Sequence, residues 1–521
     1  MHWAQKAAQK LVEAHPNRET FVCASGISPS GSVHIGNFRE IVTTYFVVRA
    51  LQEMGKKTRF IFSWDDFDRF RKVPKGIDSS YEQYIGMPYS AIPDPHGCCA
   101  SYAQHYEREF ESTLKDFGVE VEFLYQTQQY KSGRYREGIH RALVRRMEIY
   151  DIIMGFKTQE ASNEQRINYY PINLYCHNCQ KDDTTVTAYD EGARVVYYRC
   201  ACGHQGEQSV RTAENIKLIW KADWPMRWSE EEVVFEPGGS DHSAEGGSFA
   251  VSTVVAREIF DYQAPQYIAY EFIGIKGAGG KMSSSSGNTL TPRDLMDVYA
   301  PEVLLYIFSK YLPQAGFKIG MDEDVIKHHT EFERLYGKYT SGELDREDLK
   351  FVMHLSVLKD TPDRFAPFGQ IANVLPLVAY DDEVCRGLLG SQMDGVCGQA
   401  YGDTCSRVTK WIASWSPERE TRVNRAVNRA YYVTIDEKVK NSVKDMLKLI
   451  SAQSSGDDWM QAVYDLTRSD DKKITKRRQN EMFETLYHLL ISRNTGPRLP
   501  LLVQIIGPEK AFDLVSGCIR N

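Results

Sequence analysis

No apolar run in the 521 residues approaches the length that crosses a bilayer, and Met1 to His15 lacks the short apolar core of a secretory signal, so a cytosolic protein with no membrane partner is expected. Positive charge is not in excess either. The 63 Lys and Arg against 70 Asp and Glu leave −7, which argues against a generic polyanion binder, because non-specific nucleic-acid affinity needs clustered cations. Two common phosphate signatures are missing: the first glycine-rich turn carries neither G-x-G-x-x-G nor a P-loop lysine, which argues against a dinucleotide fold or a Walker site. No internal repeat or long low-complexity tract occurs. The 11 cysteines are odd in number and follow no signal peptide, so they read as thiols and metal ligands rather than a disulfide framework. What is present is ordinary for a globular chain: 42% apolar and 26% charged residues, and a length that predicts about three to four domains.

The chain is organised around Ser25 to Asn37. Thr20 to Ala24 has the character of a short buried strand, and Gly26, Pro29 and Gly31 then break regular structure. Phe38, Ile41, Val42, Tyr45, Val48 and Leu51 follow at helical spacing, and Arg59 to Trp64 reads as a second strand. Such a βαβ unit presents backbone N–H groups and the positive end of a helix dipole above the sheet, which suits phosphate. Gly36 would admit a ligand close to the backbone, and His34 can donate to a phosphoryl oxygen. Taken alone, the stretch is explained equally well as a loop with a surface histidine. Far downstream, an apolar strand from Tyr267 to Ile275 delivers a second loop, Gly277 to Asn288, whose cation is Lys281.

Between these loops lie four further features. Asp65, Asp66 and Asp68 follow the second strand, where open α/β sheets bind ligands; they could hold a cationic amino-acid side chain, or cap the turn and pair with Arg71. Cys176-x₂-Cys179 and Cys200-x-Cys202, with a strand-like Arg194 to Arg199 leading into the second pair, have the spacing of a closed four-thiolate zinc ribbon; His204 is an alternative to Cys202. Trp220, Trp224 and Trp228, with Lys221 and Arg227 among them, form either a pocket wall or a core knot. Gly238 to His242 makes a second glycine-rich turn. Beyond Thr291-Pro292 the periodic segments are helical, among them Ile371 to Tyr380 and Arg422 to Val433, and a basic run at Lys472, Lys473, Lys476, Arg477 and Arg478 is either a solvated face or a phosphate contact.

The two loops, in this order and each after a strand, resemble the HIGH and KMSKS signatures of class I aminoacyl-tRNA synthetases. With PSGSVHIGN, WDDFDRFRKVP, the cysteine ribbon, WKADWPMRW, GGSDH, YEFIGIKG, KMSSSSGN and the terminal Thr495 to Leu499, the chain resembles the class I lysyl-tRNA synthetase family over essentially its whole length. That resemblance implies an α/β fold: a Rossmann-like catalytic domain in two halves (1–75 and 215–288), an inserted acceptor-end region (76–214) containing a zinc-ribbon-like segment (172–206), a stem-contact linker (289–350) and an all-α anticodon-binding region (351–521). It implies lysine activation by ATP with Mg²⁺, transfer to tRNA(Lys), a structural Zn²⁺, and a monomer. His34, Asn37 and Lys281 would be catalytic. Pro29, Ser30, Gly31, Gly36, Asp241, Met282, Ser283, Ser284 and Ser285 would join them around ATP. Gly26, Ser28, Asp65, Asp66, Asp68, Trp220, His242 and Tyr270 would surround lysine, and the basic run would touch tRNA.

Two positions depart from the class pattern. Asn37 stands where the first signature ends in His, and Ser284 where the second has Lys, with Ser286 removing a further possible cation. Three rivals follow: a small nucleotidyltransferase without tRNA, a silent tRNA-binding paralogue, and a glutamate enzyme. The last would want a cation where this chain offers Asp65, Asp66 and Asp68.

Overall fold

The computed structural model describes residues 1–158, 162–277 and 290–519. The chain divides into two compact units, one of Met1–Met296 with Ala300–Gly320 and Gly342–Lys359, the other of Asp297–Tyr299 with Met321–Ser341 and Asp360–Asn521.

In the first unit the strands are β1 (Thr20–Ile27), β2 (Lys57–Trp64), β3 (Glu122–Tyr125), β4 (Ile172–Leu174), β5 (Thr184–Asp190), β6 (Val195–Cys200), β7 (Gln205–Ser209), β8 (Ile216–Leu218), β9 (Val233–Gly239), β10 (Gln266–Tyr270), β11 (Ile273–Ile275) and β12 (Phe317–Ile319). The helices before β10 are α1 (Trp3–Ala14), α2 (Ile35–Glu53), α3 (Tyr102–Asp116), α4 (Gln126–Lys131), α5 (Arg136–Val144), α6 (Arg146–Gly155), α7 (Asn163–Ile167), α8 (Trp220–Glu231) and α9 (Ser248–Phe260). Five strands pair in parallel in the order β10-β9-β1-β2-β3. A parallel sheet needs cover on both faces, and β1 shows it: Val22 and Ala24 pack with Trp224, Trp228 and Ala256 of α8 and α9. The opposite face is covered by aromatic packing, where Phe110 of α3 lies 6.3 Å from Phe38 of α2 and 5.8 Å from Phe62 of β2.

β1 runs three residues beyond the strand read from sequence, through Gly26 to Ile27. A Cβ on Gly26 would sit 3.0 Å from the Ser63 carbonyl oxygen, so glycine here permits close strand approach rather than breaking the strand. The expected single strand Tyr267 to Ile275 is two. The buried Arg39 guanidinium takes the carbonyls of Glu271 at 2.7 Å and of Leu312 and Ala315 at 2.9 Å, and the chain there leaves the main sheet so that β11 pairs with β12. The cysteine-bearing insertion forms an antiparallel β5-β6-β7 sheet whose core, including Cys176, Val196 and Tyr198, is continuous with Met226 of α8 and Val251 of α9.

The second unit is helical, with no strand among its described residues. One core of this unit joins Val443, Met446, Trp459, Leu486, Leu489, Leu502 and Val515. The helix expected over Ile371 to Tyr380 turns to a tighter 3₁₀ turn at Leu375, where Pro376 supplies no N–H. The helix expected over Arg422 to Val433 is reduced to Arg429–Tyr432. The preceding residues instead close the C-terminus of helix Lys472–Ile491: Asn424 donates from its amide to the carbonyls of His488 (3.1 Å) and Leu489 (2.9 Å), and from its backbone to Leu490 (2.8 Å). The Leu489 and Leu490 carbonyls lie in the last turn, where the helix supplies no further donors, and the His488 carbonyl accepts as well from the Ser492 N–H at 3.2 Å, so this use of the chain replaces another helical turn. Among the described residues no helix is long and apolar enough to cross a membrane. Asn424→Ala should remove two of these bonds and destabilise the second unit by about 1–3 kcal/mol, read as an earlier unfolding transition in urea; an unchanged midpoint would contradict the capping role.

Candidate active site

α2 begins at His34, whose extended backbone (φ −86°, ψ 165°) turns its own ring over the helix start. His34 Nδ1 accepts from the N–H groups of Gly36 at 3.0 Å and Asn37 at 3.3 Å, and the Ile35 N–H goes to the Leu290 carbonyl at 2.9 Å. The backbone donors that the sequence reading aimed at phosphate are therefore used within the protein. With Nδ1 accepting, the neutral ring carries its proton on Nε2, so the histidine itself becomes the donor that the helix terminus offers.

A cavity of about 840 Å³ lies over the C-terminal ends of β1, β2, β9 and β10. Of the residues named from sequence, it brings together Gly26, Ser28, Ser30, Gly31, His34, Gly36, Asn37, Asp65, Asp68, Trp220, Asp241, His242 and Tyr270. Pro29 and Asp66 do not line it. Asp66 turns to the start of α4, where it accepts from the Thr127 N–H at 2.8 Å, and burial pushes its carboxyl up to about 6. Lys281, Met282, Ser283, Ser284 and Ser285 lie outside the described residues.

Asp65 and Asp68 are already paired. Asp65 meets Arg227 at 2.6 Å; Arg227 also pairs with Asp223; Lys217 pairs with Asp68 and, at 3.3 Å, with Asp223. Tyr130 donates to Asp223 at 2.5 Å and Ser28 to Asp68 at 3.3 Å. Three carboxylates thus face two cations, and burial pushes the Asp65 carboxyl up from its usual range. Three further carboxylates, not anticipated from sequence, also line the cavity; one of them, Glu231, is paired with Arg59 and Arg134, each at 2.7 Å. Glu40 accepts from the Gly26 N–H at 2.9 Å and the Tyr270 hydroxyl at 2.8 Å, and Glu236 accepts from Trp228 Nε1 at 2.6 Å. Burial pushes Glu40 up to about 8 and Glu236 up to about 7. The signal for Glu236 was a glutamate inside the apolar run Val233 to Pro237.

The tryptophans answer both readings offered for them. Spaced by one helical turn, Trp220 and Trp224 stack at 5.0 Å, and Trp224 and Trp228 follow at 4.9 Å. All three line the cavity; Trp228 is fully buried from solvent, and the Trp220 indole N–H has no hydrogen-bond partner among the described residues.

The cysteine ribbon passes a geometric test for a metal. The sulfurs of Cys176, Cys179, Cys200 and Cys202 all lie within 4.8 Å of one another, with Cys176 to Cys202 at 3.8 Å and Cys179 to Cys200 at 3.6 Å. Tetrahedral zinc with bonds of ~2.3 Å sets sulfurs ~3.8 Å apart. His204 is not part of this group; its carbonyl instead accepts from the Cys200 N–H at 2.8 Å. In the second unit, Lys472, Lys473, Lys476, Arg477 and Arg478 are exposed on the first two turns of their helix, capped by Asp471. Cations at a helix N-terminus oppose its dipole, so an anionic partner would relieve the arrangement.

A doubly covered parallel sheet with a histidine-capped turn over its C-terminal edge is the architecture of the class I tRNA synthetases. The sequence profile of the family described as tRNA synthetases class I (K) matches residues 1–359, and the chain belongs to this family. It is 34% identical to the lysine–tRNA ligase of Treponema pallidum, covering 99% of this chain and 98% of that one. It is 33% identical to the lysine–tRNA ligase of Pyrococcus horikoshii, over 96% of each chain. Among solved structures, glutamate-tRNA synthetase from Elizabethkingia anophelis is similar with a TM-score of 0.45 at 13% identity, over 96% of this chain and 100% of that one.

Because Arg227 is the shared partner of two buried carboxylates, Arg227→Met should cost about 3–5 kcal/mol of stability. Urea unfolding of the full chain measures this, and a loss below about 1 kcal/mol would mean that the network is solvated.

Proposed function

We propose that this chain joins lysine to its tRNA in two steps. A carboxylate oxygen of lysine attacks the α-phosphorus of ATP, forming the P–O bond of lysyl-adenylate as the bond to the β-phosphate oxygen breaks and pyrophosphate leaves. A hydroxyl of the terminal ribose of tRNA then attacks the lysyl carbonyl carbon, passes its proton to solvent, and AMP departs. ATP brings its Mg²⁺ as part of the substrate.

The observation that carries this reading is the sign and division of charge in the cavity. Lysine has two ammonium groups, and the cavity, which Arg69, Arg71 and Lys72 also line, offers two acidic groupings: the Asp65 and Asp68 network, where three carboxylates face two cations, and Glu40 with Glu236. No cation is paired with Glu40 or Glu236 among the described residues, so an arriving ammonium supplies the counter-charge their burial calls for. The ε-ammonium goes to this pair, and Tyr270 and Gly26 hold Glu40 in place. A glutamate side chain would find no cation paired with Glu40 or Glu236 to receive it, which disfavours the glutamate enzyme.

His34 donates through Nε2–H to the phosphate oxygens as charge moves onto the departing pyrophosphate, and Lys281 supplies the cation from the second loop. Such transfers depend on positioning and charge stabilisation rather than on a covalent enzyme intermediate. Asp241 and His242 lie at the cavity edge, fitted to ribose and amino acid. The four cysteine sulfurs hold a structural zinc that closes the ribbon and takes no part in a step. The basic turns at Lys472 to Arg478 contact tRNA phosphates. Every group named comes from one chain, so a monomer suffices, and a tRNA substrate makes the cytoplasm the proposed location.

Charging of lysine-accepting tRNA with labelled lysine tests the assignment. Glu40→Gln should raise the lysine KM about 10- to 100-fold, the cost of losing one charge-assisted contact, with little change in the ATP KM. An equal rise in both would place Glu40 elsewhere. In the free enzyme Glu40 and Glu236 are largely protonated below their raised values, and binding an ammonium requires the anion. Lysine affinity should therefore increase as pH rises through about 7 to 8, and binding should release protons; a flat profile would contradict the role of this pair. Replacing all five basic residues at Lys472 to Arg478 by Ala should weaken tRNA binding and flatten its dependence on salt, and an unchanged salt slope would return the run to a solvated face.

A further inference from the structure

Cys98 and Cys99 precede α3 in a loop that the reaction described above does not use. Asp94, Cys98, Cys99 and His105 bring one ligand atom each within 4.8 Å of all the others. Cys98 Sγ lies 3.6 Å from Cys99 Sγ and 3.2 Å from His105 Nδ1, and His105 Nδ1 lies 3.5 Å from Asp94 Oδ1. Around a tetrahedral zinc, bonds of ~2.3 Å to sulfur and ~2.0–2.1 Å to nitrogen and oxygen separate two sulfurs by ~3.8 Å, sulfur from nitrogen by ~3.5 Å, and nitrogen from oxygen by ~3.4 Å. All three spacings are met to within a few tenths of an ångström. We infer that these four residues form a second, structural zinc site, separate from the four-cysteine ribbon.

The surroundings fit an ion at this point. Asp94's side chain is 1% exposed, and its other oxygen accepts from the N–H groups of both Cys98 and Cys99 at 2.7 Å, so one carboxylate orients the backbone that presents the two sulfurs. A loop-capping role accounts for those backbone contacts. It accounts equally for the His96 N–H that Asp94 Oδ1 accepts at 3.0 Å, but not for two sulfurs and an imidazole nitrogen gathered beside that carboxylate. Two thiolates and a carboxylate would leave a bound Zn²⁺ with one net negative charge, and Arg108 stands 3.8 Å from Cys99 Sγ to offset it. Two borderline-soft sulfurs with one nitrogen and one oxygen favour zinc over magnesium or calcium, and four protein ligands leave no open position for catalysis.

The site has a mechanical connection to the cavity. His105 lies on the first turn of α3, so the ion would fasten the loop to that helix. Between them, Tyr102 is fixed by its N–H to the Ile92 carbonyl at 2.8 Å and donates its hydroxyl to the Ser30 carbonyl at 3.0 Å. Ser30 belongs to the turn that lines the ATP side of the cavity. The ion would thus hold that turn indirectly, as a positioning device.

Counting zinc per chain by mass spectrometry on the full-length protein tests this directly. The unmodified chain should hold two, a Cys98→Ser/Cys99→Ser chain one, and a Cys176→Ser/Cys179→Ser chain one. Cobalt(II) bound in the last variant should show a thiolate charge-transfer band about half as intense as that of the four-thiolate site, since the band scales with sulfur ligands. The Cys98→Ser/Cys99→Ser chain should also show a raised ATP KM with a smaller change for lysine. If that chain does not fold, His105→Gln is read by the same count. Zinc content unchanged by these substitutions overturns the inference, as does an unmodified chain whose zinc is lost entirely with Cys176 and Cys179.

Discussion

The hydrogen bonds from Gly36 and Asn37 to His34 Nδ1 are the constraint on which the active site depends. They start α2 at one residue, set the tautomer of the ring, and convert a helix terminus, which would otherwise offer backbone donors, into a single directed side-chain donor. Neighbouring contacts are arranged to hold that start. Leu290, just beyond the second loop, accepts from Ile35; Tyr102 fixes the Ser30 carbonyl; and Arg39, one helical turn further on, redirects the chain after β10 by taking three carbonyls. Leu290, which follows the second signature in sequence, is thereby tied to the first turn of α2.

Electrostatics supplies the second layer. Placing Asp65, the half-buried Asp68 and Asp223 together with only Lys217 and Arg227 to balance them is costly in isolation, and burial raises Glu40 to about 8 and Glu236 to about 7, so that near pH 7 Glu40 is largely neutral and Glu236 close to half so. A pocket built this way discriminates by sign. In the proposed function it would take the two ammonium groups of lysine, with the stacked tryptophans of α8 as an apolar wall for the aliphatic stem.

Much of this was legible before the structure. The β1-turn-α2 unit could be read because β-branched and aromatic residues give way to glycine and proline and then to a helical repeat, and the four-cysteine ribbon because its spacing is itself a ligand geometry. Other parts were hidden for physical reasons. Glu40 sits on a helix, where a glutamate ordinarily marks the solvent face; only tertiary packing against Gly26 and Tyr270 buries it. The partners of Asp65 and Asp68 lie some 150 residues away, at Lys217 and Arg227, so the sequence neighbourhood suggested Arg71 instead. Adjacent cysteines at 98 and 99 match no familiar metal spacing, and Asp94 and His105 join them only through the fold. The stretch from Arg422 lost its expected helix because capping another helix used its asparagines.

The most direct test is amino-acid-dependent ATP–pyrophosphate exchange on the purified chain, with and without lysine-accepting tRNA, comparing lysine with glutamate, arginine and cysteine. The account predicts exchange with lysine alone, and its loss on His34→Ala. Exchange with glutamate, or none in any condition from folded protein that binds tRNA, would contradict it.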